Sequence, residues 1–312
     1  MEKPSTPGVE QNVNTSEVVT IVSHDAGGAE ILASYVAQNG IACRFVLEGP
    51  AVNVFKRRLG EVEVLSLEEG ISAGDWCLCG TGWQSDLEWR AIELVQNKGK
   101  RVVALLDHWV NYQERFLRNG IQHLPDEIWV GDVDAEILAR DNFSQLPIRL
   151  ISNPYFLDIK KQLEDIKRVL LVGANKKEVL FVCENISEHA RLKYGDERHW
   201  GYTEFDAIEY FLNNLNVLDE HIARVVLRPH PSDAPGKYDG ILNAYSEVVQ
   251  MSTGRPLIQE IADSDIVVGC ASMAMVIGLL AQKKVISCIP QGGLGCRLPQ
   301  KDIMHFRELV VK

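Results

Sequence analysis

The sequence predicts an α/β protein that is built from two doubly wound parallel sheets. Short apolar runs of the kind that form buried parallel strands recur along the chain, and segments with helical periodicity separate most of them. This alternation stops near residue 153, where a charged helical segment follows, and it starts again near residue 178. Strands that alternate with helices indicate parallel pairing through crossover connections, and the restart indicates two such units.

The chain accordingly falls into four predicted segments. We expect a disordered lead-in over residues 1–16, a first α/β unit over residues 17–155, a linker over residues 156–176 and a second α/β unit over residues 177–312. The lead-in is polar and lacks the apolar stretch of a signal peptide. A length of 312 residues suits two medium-sized domains.

The elements of the first unit are predicted from apolar runs and helical periodicity. The first strand, at residues 18–23, is followed by a glycine-containing loop and by a helix over residues 29–38, with Gly40 as its C-cap. A second helix is expected over residues 84–97. The remaining predicted strands are short apolar runs, at residues 42–47, 62–65, 76–80, 101–106, 127–130 and 148–151.

The second unit follows from the same patterns. A helical segment at residues 157–168 leads towards it, and a helix is predicted over residues 203–215. Near the end of the chain, an apolar strand at residues 266–269 is followed by small residues and by a helix over residues 273–281. The other predicted strands lie at residues 178–183, 223–227, 247–251 and 284–287.

Composition and charge exclude several classes of function. The net charge of −11 argues against a general nucleic-acid binder, which carries a basic footprint. No apolar run reaches the roughly 18 residues of a membrane span, so we expect at most peripheral membrane association. The seven cysteines are an odd number and lie mostly in strand-like runs, which indicates reduced thiols in a cytoplasmic protein. Cys77 and Cys79 have no second pair at zinc spacing, so no metal site is expected.

Ligands of open α/β sheets bind at the carboxyl ends of the strands, so the loops there hold the candidate site residues. Asp25, after the first strand, is placed as a general base towards a hydroxyl, which needs a carboxylate within hydrogen-bond reach of the reacting proton. The alternative is that Asp25 caps the next helix and that the neighbouring glycines only permit the turn. The candidates in this unit are His24, Asp25, Gly27, Gly28, Thr81, Gly82, Asp107, His108 and Asn111.

Two of these loops have more than one interpretation. Asp107 is placed to orient His108, or His108 to hydrogen-bond a sugar or a phosphate, and the alternative is a buried Asp–His pair that satisfies the backbone. The Gly80–Gly82 loop either lines a ligand site or simply leads into a helix that is capped by Ser85 and Asp86.

The second unit presents a histidine between two prolines, which fix the backbone around one imidazole. His230, with Arg228 and Pro231 beside it, suits a phosphate, because imidazolium and guanidinium groups both donate charge-assisted hydrogen bonds. Ser272 and Met273 lie where a strand turns into a helix, and unpaired N–H groups and the helix dipole favour an anion there. The remaining candidates, Glu184 and Ser187, follow the first strand of this unit.

These features together resemble the GT-B glycosyltransferases. The shared features are two Rossmann-like units, the glycine-rich loop after the first strand, the Arg-Pro-His-Pro segment at residues 228–231 and the strand–turn–helix segment at residues 265–287. The similarity is greatest to the bacterial enzymes of capsule and lipopolysaccharide synthesis that use CMP-activated sugars such as sialic acid and Kdo. The resemblance implies two Rossmann-like domains that face a cleft.

The resemblance also implies roles for individual residues. In that family a His-Pro motif and a serine-bearing loop hold the CMP phosphate, and an acidic residue of the N-terminal domain is the base. His230 and Pro231 match the His-Pro motif, Ser272 matches the serine loop, and Asp25 corresponds to the base by its position. The implied activity is metal-independent transfer of a sugar from a nucleotide donor to a glycan or lipid-linked glycan, with the nucleotide sugar as substrate and no cofactor.

One position departs from the family pattern. Many GT-B enzymes that use UDP- or GDP-sugars hold the ribose with a glutamate in the helix after the serine loop, and here that position is Ile277. This departure favours a CMP-sugar over the other donors. Two alternatives keep the fold: a nucleotide-sugar epimerase or hydrolase, and a non-catalytic subunit of polysaccharide synthesis.

Overall fold

The computed structural model describes residues 17–82, 85–166, 176–218 and 220–311 of the chain. These residues form two compact units that divide between Tyr155 and Phe156. The predicted lead-in at residues 1–16 lies outside the described residues, as do residues 167–175 of the predicted linker.

The first unit alternates strands and helices, as the sequence predicts. Its elements in chain order are β1 (Val19–Ser23), α1 (Ala26–Asn39), β2 (Cys43–Leu47), α2 (Pro50–Leu59), α3 (Leu67–Ala73), β3 (Trp76–Cys79), α4 (Leu87–Asn97), β4 (Val102–Leu106), a 3₁₀ turn (Glu114–Phe116), β5 (Leu117–Arg118), β6 (Ile121–Gln122), β7 (Glu127–Val130), α5 (Val133–Asn142) and β8 (Ile148–Leu150).

The second unit repeats this alternation. Its elements are α6 (Pro154–Asp165), which begins at the division, β9 (Lys177–Val182), α7 (Ile186–Tyr194), α8 (Glu204–Asn213), a 3₁₀ turn (Leu215–Leu218), β10 (Ile222–Arg228), α9 (Asp239–Ala244), β11 (Val249–Met251), α10 (Leu257–Asp263), β12 (Ile266–Gly269), α11 (Met273–Leu280), β13 (Lys284–Ser287), β14 (Ile303–His305) and α12 (Phe306–Val310).

Each unit contains one six-stranded parallel sheet. The strand order is β2-β1-β3-β4-β7-β8 in the first sheet and β11-β10-β9-β12-β13-β14 in the second. All of these pairs are parallel, whereas the small β5–β6 hairpin is antiparallel. The predicted α/β class with two doubly wound parallel sheets is therefore confirmed.

Each sheet has a point at which the order of its strands reverses. In the first sheet it lies between β1 and β3, and in the second it lies between β9 and β12. On either side of such a point the connecting helices leave in opposite directions, so the loops diverge and open a crevice at the carboxyl edge of the sheet. These two edges are where a ligand site is expected.

The sheets are held by apolar side chains on both faces. Every residue of β1, β3, β4 and β12 is buried, which is typical of parallel strands that are covered by helices on both sides. In the second unit Phe181, Phe211 and Phe306 pack with tilted rings, with centroids of successive pairs 5.7 and 5.0 Å apart. Full burial of one such side chain contributes roughly 1.5–3 kcal/mol.

The structure differs from the sequence-based expectation at some elements. The strand predicted at residues 62–65 is reduced to one bridge between Val64 and Phe45. The reason is the helix that starts directly afterwards, where Ser66 and Glu69 form a capping box for α3. The elements β14 and α12 were not expected from the sequence. The helix predicted from residue 84 begins at Leu87, and residues 83 and 84 lie outside the described part of the chain.

Candidate functional site

At the carboxyl edge of the first sheet, the loops after β1, β3 and β4 bring several ionisable side chains together. We call this cluster the first-unit site; it consists of His24, Asp25, Glu88, Asp107 and Arg115. Among them, Glu88 and Arg115 were not expected from the sequence.

Asp25 pairs with its neighbour His24. The His24 Nδ1 atom lies 2.7 Å from Asp25 Oδ1, and the two side chains are 20% and 26% exposed. Asp25 occupies the N-cap position of α1 with an extended backbone, yet its side chain makes no capping hydrogen bond in the described part of the chain. The capping alternative is therefore not observed, and the partly exposed carboxylate is left to interact with His24.

Glycines let the backbone approach these side chains. A Cβ atom on Gly82 would lie 2.8 Å from Asp25 Oδ2, and one on Gly49 would lie 2.6 Å from His24 Nε2. A Cβ atom on Gly27 would collide with Asp107 Oδ2, whereas Gly28 has ordinary space around it. The glycines at 27, 49 and 82 thus let the backbone lie directly against Asp107, His24 and Asp25, respectively.

Arg115 is a buried cation that organises the other side of this site. Its Nη1 atom donates to Asp107 Oδ1 at 2.6 Å and to both the carbonyl and hydroxyl oxygens of Thr81 at 2.9 Å. The Thr81 hydroxyl in turn donates to the carbonyl oxygen of Leu105. Asp107 therefore forms an ion pair with Arg115 instead of the predicted interaction with His108.

His108 and Asn111 shape the loop after β4. The backbone N–H of Trp109 donates to His108 Nδ1 at 2.9 Å. Asn111 has a positive φ of 57°, a conformation that asparagine tolerates better than most residues. The roles of both candidates towards a ligand stay predictions.

Glu88 is the most deeply buried acidic group at the first-unit site. Its residue is 2% exposed, and its Oε1 atom accepts a hydrogen bond from the His24 backbone N–H at 2.7 Å. Burial raises the pKa of Glu88 to about 7. The sequence pattern pointed to Ser85 and Asp86 as caps in this loop, and the signal for Glu88 was its position in the first turn of the helix.

In the second unit, the site lies at the carboxyl edge between β9 and β12. We call the group formed by Glu184, His230, Ser272, Met273 and Arg297 the second-unit site. The loops after β9, β10, β12 and β13 supply these residues.

The turn after β12 binds an anionic side chain of the protein itself. Glu184 accepts hydrogen bonds from the backbone N–H groups of Cys270 and Ala271, each at 2.8 Å. Burial raises the pKa of Glu184, and the hydrogen bonds from the backbone of Ala271, Cys270 and Ser272 act in the opposite direction. The prediction that this turn favours an anion fits the geometry, but these two amides are occupied by a carboxyl group, which corrects the expected free phosphate cradle.

Ser272 is the N-cap of α11. Its side-chain oxygen accepts a hydrogen bond from the Ala274 N–H at 3.2 Å, and its backbone is extended. Ser272 and Met273 are both half-buried. The serine oxygen accepts this bond, and its O–H can donate at the same time towards a ligand at the helix N-terminus.

His230 is exposed and its ring is fixed from one side. Its Nδ1 atom lies 2.7 Å from Ser232 Oγ, and Asn185 also donates to that hydroxyl oxygen at 3.0 Å. The His230 backbone N–H donates to Asp233 Oδ2 at 2.8 Å. With prolines at 229 and 231, these contacts hold the imidazole in one place at the sheet edge.

Two sequence candidates in the second unit have other partners. The Arg228 guanidinium forms an ion pair with the buried Glu260 at 2.5 Å and donates to the Arg255 carbonyl at 2.8 Å. The positive charge of Arg228 is thus neutralised by Glu260, and the guanidinium does not contact the His230 loop in the described part of the chain. Ser187 donates to Glu204 from both its backbone N–H, at 2.8 Å, and its hydroxyl, at 2.9 Å.

Arg297 is a cation at this site that was not expected from the sequence. It is exposed, it lies in the glycine-containing loop that follows β13, and its charge acts on Glu184 so as to lower the pKa of that carboxyl group. The glycines at 292, 293 and 295 were the available signal, because a glycine-rich loop at the carboxyl end of a parallel strand is a typical ligand loop.

Comparison with solved structures identifies the fold. The UDP-GlcNAc 2-epimerase from Methanocaldococcus jannaschii has a TM-score of 0.54 and 9% identity, covering 86% of this chain and 83% of that chain. The glycotransferase of kitacinnamycin has a TM-score of 0.53 and 13% identity, covering 88% and 80%. The fold is of the GT-B type. MnaA from S. aureus, solved with UDP, also matches, with a TM-score of 0.54, 11% identity and coverage of 87% and 79%.

The other comparisons limit what the chain is similar to. No protein-family model matches it, and no curated protein matches it in sequence.

In the described ranges, no helix has the length and apolar character that crossing a membrane requires. The same residues contain no group of three or more His, Cys, Asp or Glu side chains arranged to hold a metal ion.

Proposed function

We propose that this protein is a glycosyltransferase that moves a sugar from a nucleotide donor to a glycan hydroxyl, without a metal cofactor. The observation that carries the proposal is the pair of sites at the two strand-order reversals, one rich in carboxyl groups and one with a fixed histidine beside a helix N-terminus. The GT-B type of fold, which this chain shares with a glycotransferase and with a UDP-GlcNAc 2-epimerase, supports a nucleotide-sugar substrate.

In this proposal the second-unit site holds the donor. Departure of the nucleotide leaves negative charge on its phosphate, and donors aimed at that charge accelerate the step. His230 and the Ser272 hydroxyl provide such donors beside the N-terminus of α11, where Glu184 already holds the Cys270 and Ala271 amides. Arg297 supplies the positive charge that Arg228 does not. The favoured donor is a CMP-activated acid sugar, supported by the resemblance of the His-Pro and serine segments and by Ile277.

The first-unit site supplies the base. Asp25 takes the proton of the acceptor hydroxyl, and its pairing with His24 fixes the orientation of its carboxylate. The acceptor is a glycan or a lipid-linked glycan of bacterial surface-polysaccharide synthesis, such as capsule or lipopolysaccharide. The support for this acceptor is the family resemblance of the sequence.

A second candidate function is epimerisation of a nucleotide sugar. The observation that favours it is the concentration of carboxyl groups at the first-unit site, since moving a proton to and from a sugar carbon needs a base and an acid in one place. Two of the matching structures carry the name UDP-GlcNAc 2-epimerase.

One experiment separates transfer from its alternatives. The full chain is incubated with CMP-, UDP-, GDP- and CDP-sugars, with and without a mixture of glycan acceptors, and the products are followed by mass spectrometry and NMR. Transfer predicts a product only when the acceptor is present. Rapid formation of an epimer, or of free sugar, in the acceptor-free arm would overturn the transferase proposal, and a lack of any turnover in both arms would favour a non-catalytic binding subunit.

A further inference from the structure

Glu88 lies in the first-unit site but has no assigned step in the proposed transfer, and its surroundings differ from those of an ordinary structural carboxyl group. It is the second residue of α4 and is almost completely buried, at 2% exposure. Its Oε2 atom is buried and has no hydrogen-bond partner among the described residues. A buried carboxyl group with an unpaired oxygen is costly, so its retention needs a reason.

The contact that Glu88 does make is with the loop that carries the base. Its Oε1 atom accepts the backbone N–H of His24 at 2.7 Å, and His24 is in turn paired with Asp25 at 2.7 Å. Gly80 lies beneath this contact: a Cβ atom there would be 3.5 Å from Glu88 Oε1 and 3.5 Å from Ser23 Oγ. The Ser23 hydroxyl is itself buried and has no partner in the described part of the chain.

We propose that Glu88 is a positioning residue, whose carboxylate holds the His24–Asp25 pair in its working orientation through the His24 backbone N–H. This inference rests on the proposed role of Asp25 as the base. An ionised carboxylate makes a charge-assisted hydrogen bond with this N–H, and such a bond is shorter and stronger than the bond to a neutral carboxyl group. The loop is therefore held more firmly when Glu88 is charged.

The charge state of Glu88 changes near neutral pH. Burial raises its pKa to about 7, with a smaller upward contribution from Asp25 and downward contributions from hydrogen bonds of its own backbone N–H and of the His24 N–H and from the neighbouring His24 side chain. The groups that interact electrostatically with its carboxyl are His24 and Asp25 on the β1–α1 loop and Cys79 at the end of β3. Because the pKa of Cys79 is raised well above its ordinary value, that thiol stays neutral in this range.

The decisive test compares the pH profile of the native protein with that of Glu88→Gln, which keeps an acceptor for the His24 N–H but removes the titration. We expect kcat/KM of the native protein to rise roughly fivefold across the ionisation of Glu88, and the Glu88→Gln variant to lack this rise, because one charge-assisted bond is replaced by a neutral one. Glu93→Gln, on the same helix and half-exposed, is the matched control and should keep the native profile. An unchanged profile in Glu88→Gln would overturn the inference.

A second readout does not depend on any enzymatic activity. The hydrogen-exchange protection factor of the His24 amide should increase with pH through the ionisation in the native protein, stay constant in Glu88→Gln and be lost in Glu88→Ala. Equal protection in all three proteins would contradict the positioning role. If this pattern is observed but no sugar is transferred, the proposed function fails while the positioning of the loop stands.

The pH dependence of stability tests whether Glu88 titrates near neutral pH. The native state keeps a proton on Glu88 between pH 4.5 and about 7, whereas the unfolded chain has released it, so the native protein loses stability relative to Glu88→Gln as the pH rises through this window. The unfolding midpoint of Glu88→Gln, measured relative to that of the native protein, should therefore increase as the pH rises from 4.5 to about 7. A constant difference between the two midpoints would show that Glu88 does not titrate there, which also overturns the inference.

Discussion

The acidic groups at the carboxyl edge of the first sheet differ in what surrounds each of them. Asp107 is neutralised by the Arg115 guanidinium, and Glu88 is buried against the backbone. Asp25 is the one among these three that combines partial exposure with an imidazole partner. A base must reach its substrate, and of the three carboxyl groups Asp25 is the one that is partly exposed and not paired with a guanidinium.

The role of Asp25 leads to a prediction at the level of one functional group. Asp25→Asn keeps the size and much of the polarity of the side chain but cannot accept the acceptor's proton. We expect the rate of transfer to fall by about 100- to 10,000-fold, the usual contribution of a general base, with little change in nucleotide affinity. Glu61→Gln, an exposed carboxylate of the same unit, is the control. Transfer at the native rate in Asp25→Asn, measured at saturating donor, would remove Asp25 from the mechanism.

For Arg228 we predict an effect on stability rather than on ligand binding, because its guanidinium is paired with Glu260. Arg228→Ala leaves the buried Glu260 without its cation, and breaking such a pair costs about 3–5 kcal/mol. We expect a large drop in the midpoint of urea unfolding but a near-native affinity for the nucleotide in the protein that remains folded. The exposed pair partner Arg198, changed to alanine, should leave the midpoint nearly unchanged.

The outcome for Arg228 is decided by two separate measurements. If Arg228→Ala loses nucleotide affinity while its unfolding midpoint stays native, the guanidinium contacts the ligand rather than Glu260. The Ser252 hydroxyl donates to Glu260, and the Arg255 carbonyl accepts from Arg228. We therefore expect Arg228→Ala also to loosen the loop that precedes α10.

At the scale of elements, the sites depend on how closely the loops approach one another. The β1–α1 loop passes over Gly80 and Gly82, and the loop after β4 reaches Gly27 through Asp107. In the second unit, Glu184 after β9 reaches across the strand-order reversal to the turn after β12. Each site is thus a place where one strand's loop is fixed by the loop of its neighbour.

The contact between Gly27 and Asp107 is the most sensitive of these approaches. Gly27→Ala places a methyl group where Asp107 Oδ2 lies, and the carboxylate cannot yield freely because Arg115 holds it. We expect a loss of about 1–3 kcal/mol of stability, typical of overpacking, and a marked loss of transfer activity. Gly240→Ala, where no atom lies near the added Cβ, is the control and should fold as the native protein does. A native crystal structure and native activity in Gly27→Ala would contradict the close packing of these loops.

Much of the fold was predictable at this scale, and the reasons are local. Buried parallel strands such as β1 and β12 carry uninterrupted apolar runs, so their positions follow from the sequence. The candidate loops also follow, because the carboxyl ends of the strands are known once the strands are. The helix α3 was missed although Ser66 and Glu69 signal its start, since the apolar residues before it suggested a strand.

The partners of the site residues were less predictable than their positions. The pairing of Arg228 with Glu260 joins residues 32 positions apart, and that of Glu184 with Cys270 joins residues 86 apart. Such contacts are set by the order of strands in the sheet, which a single sequence does not specify. For the same reason Arg115, Glu88 and Arg297 gained their significance only when the loops around them were placed.

At the scale of the whole molecule, two sheets of the same architecture carry sites of different chemistry. The first presents acidic groups suited to moving a proton, and the second presents a histidine, a helix N-terminus and an arginine suited to a phosphate. One fold supports both transferases and epimerases, so the function of this chain resides in these side chains rather than in the architecture.

The central claim, that the second unit binds the donor nucleotide through His230, is tested most directly by ligand-dependent thermal unfolding. CMP, UDP, GDP, CDP and their sugars are titrated against the native protein, His230→Gln and His221→Gln. His221 is the control, because it is an exposed histidine that directly precedes β10, the strand that His230 follows. A ligand at 100 times its dissociation constant stabilises the folded state by about 2.7 kcal/mol. We predict that at least one nucleotide sugar, with CMP-sugars favoured, raises the midpoint of the native protein and of His221→Gln, and that the affinity falls about tenfold or more in His230→Gln through loss of a charge-assisted bond. The absence of a shift with every nucleotide, or an equal shift in His230→Gln, would contradict the claim.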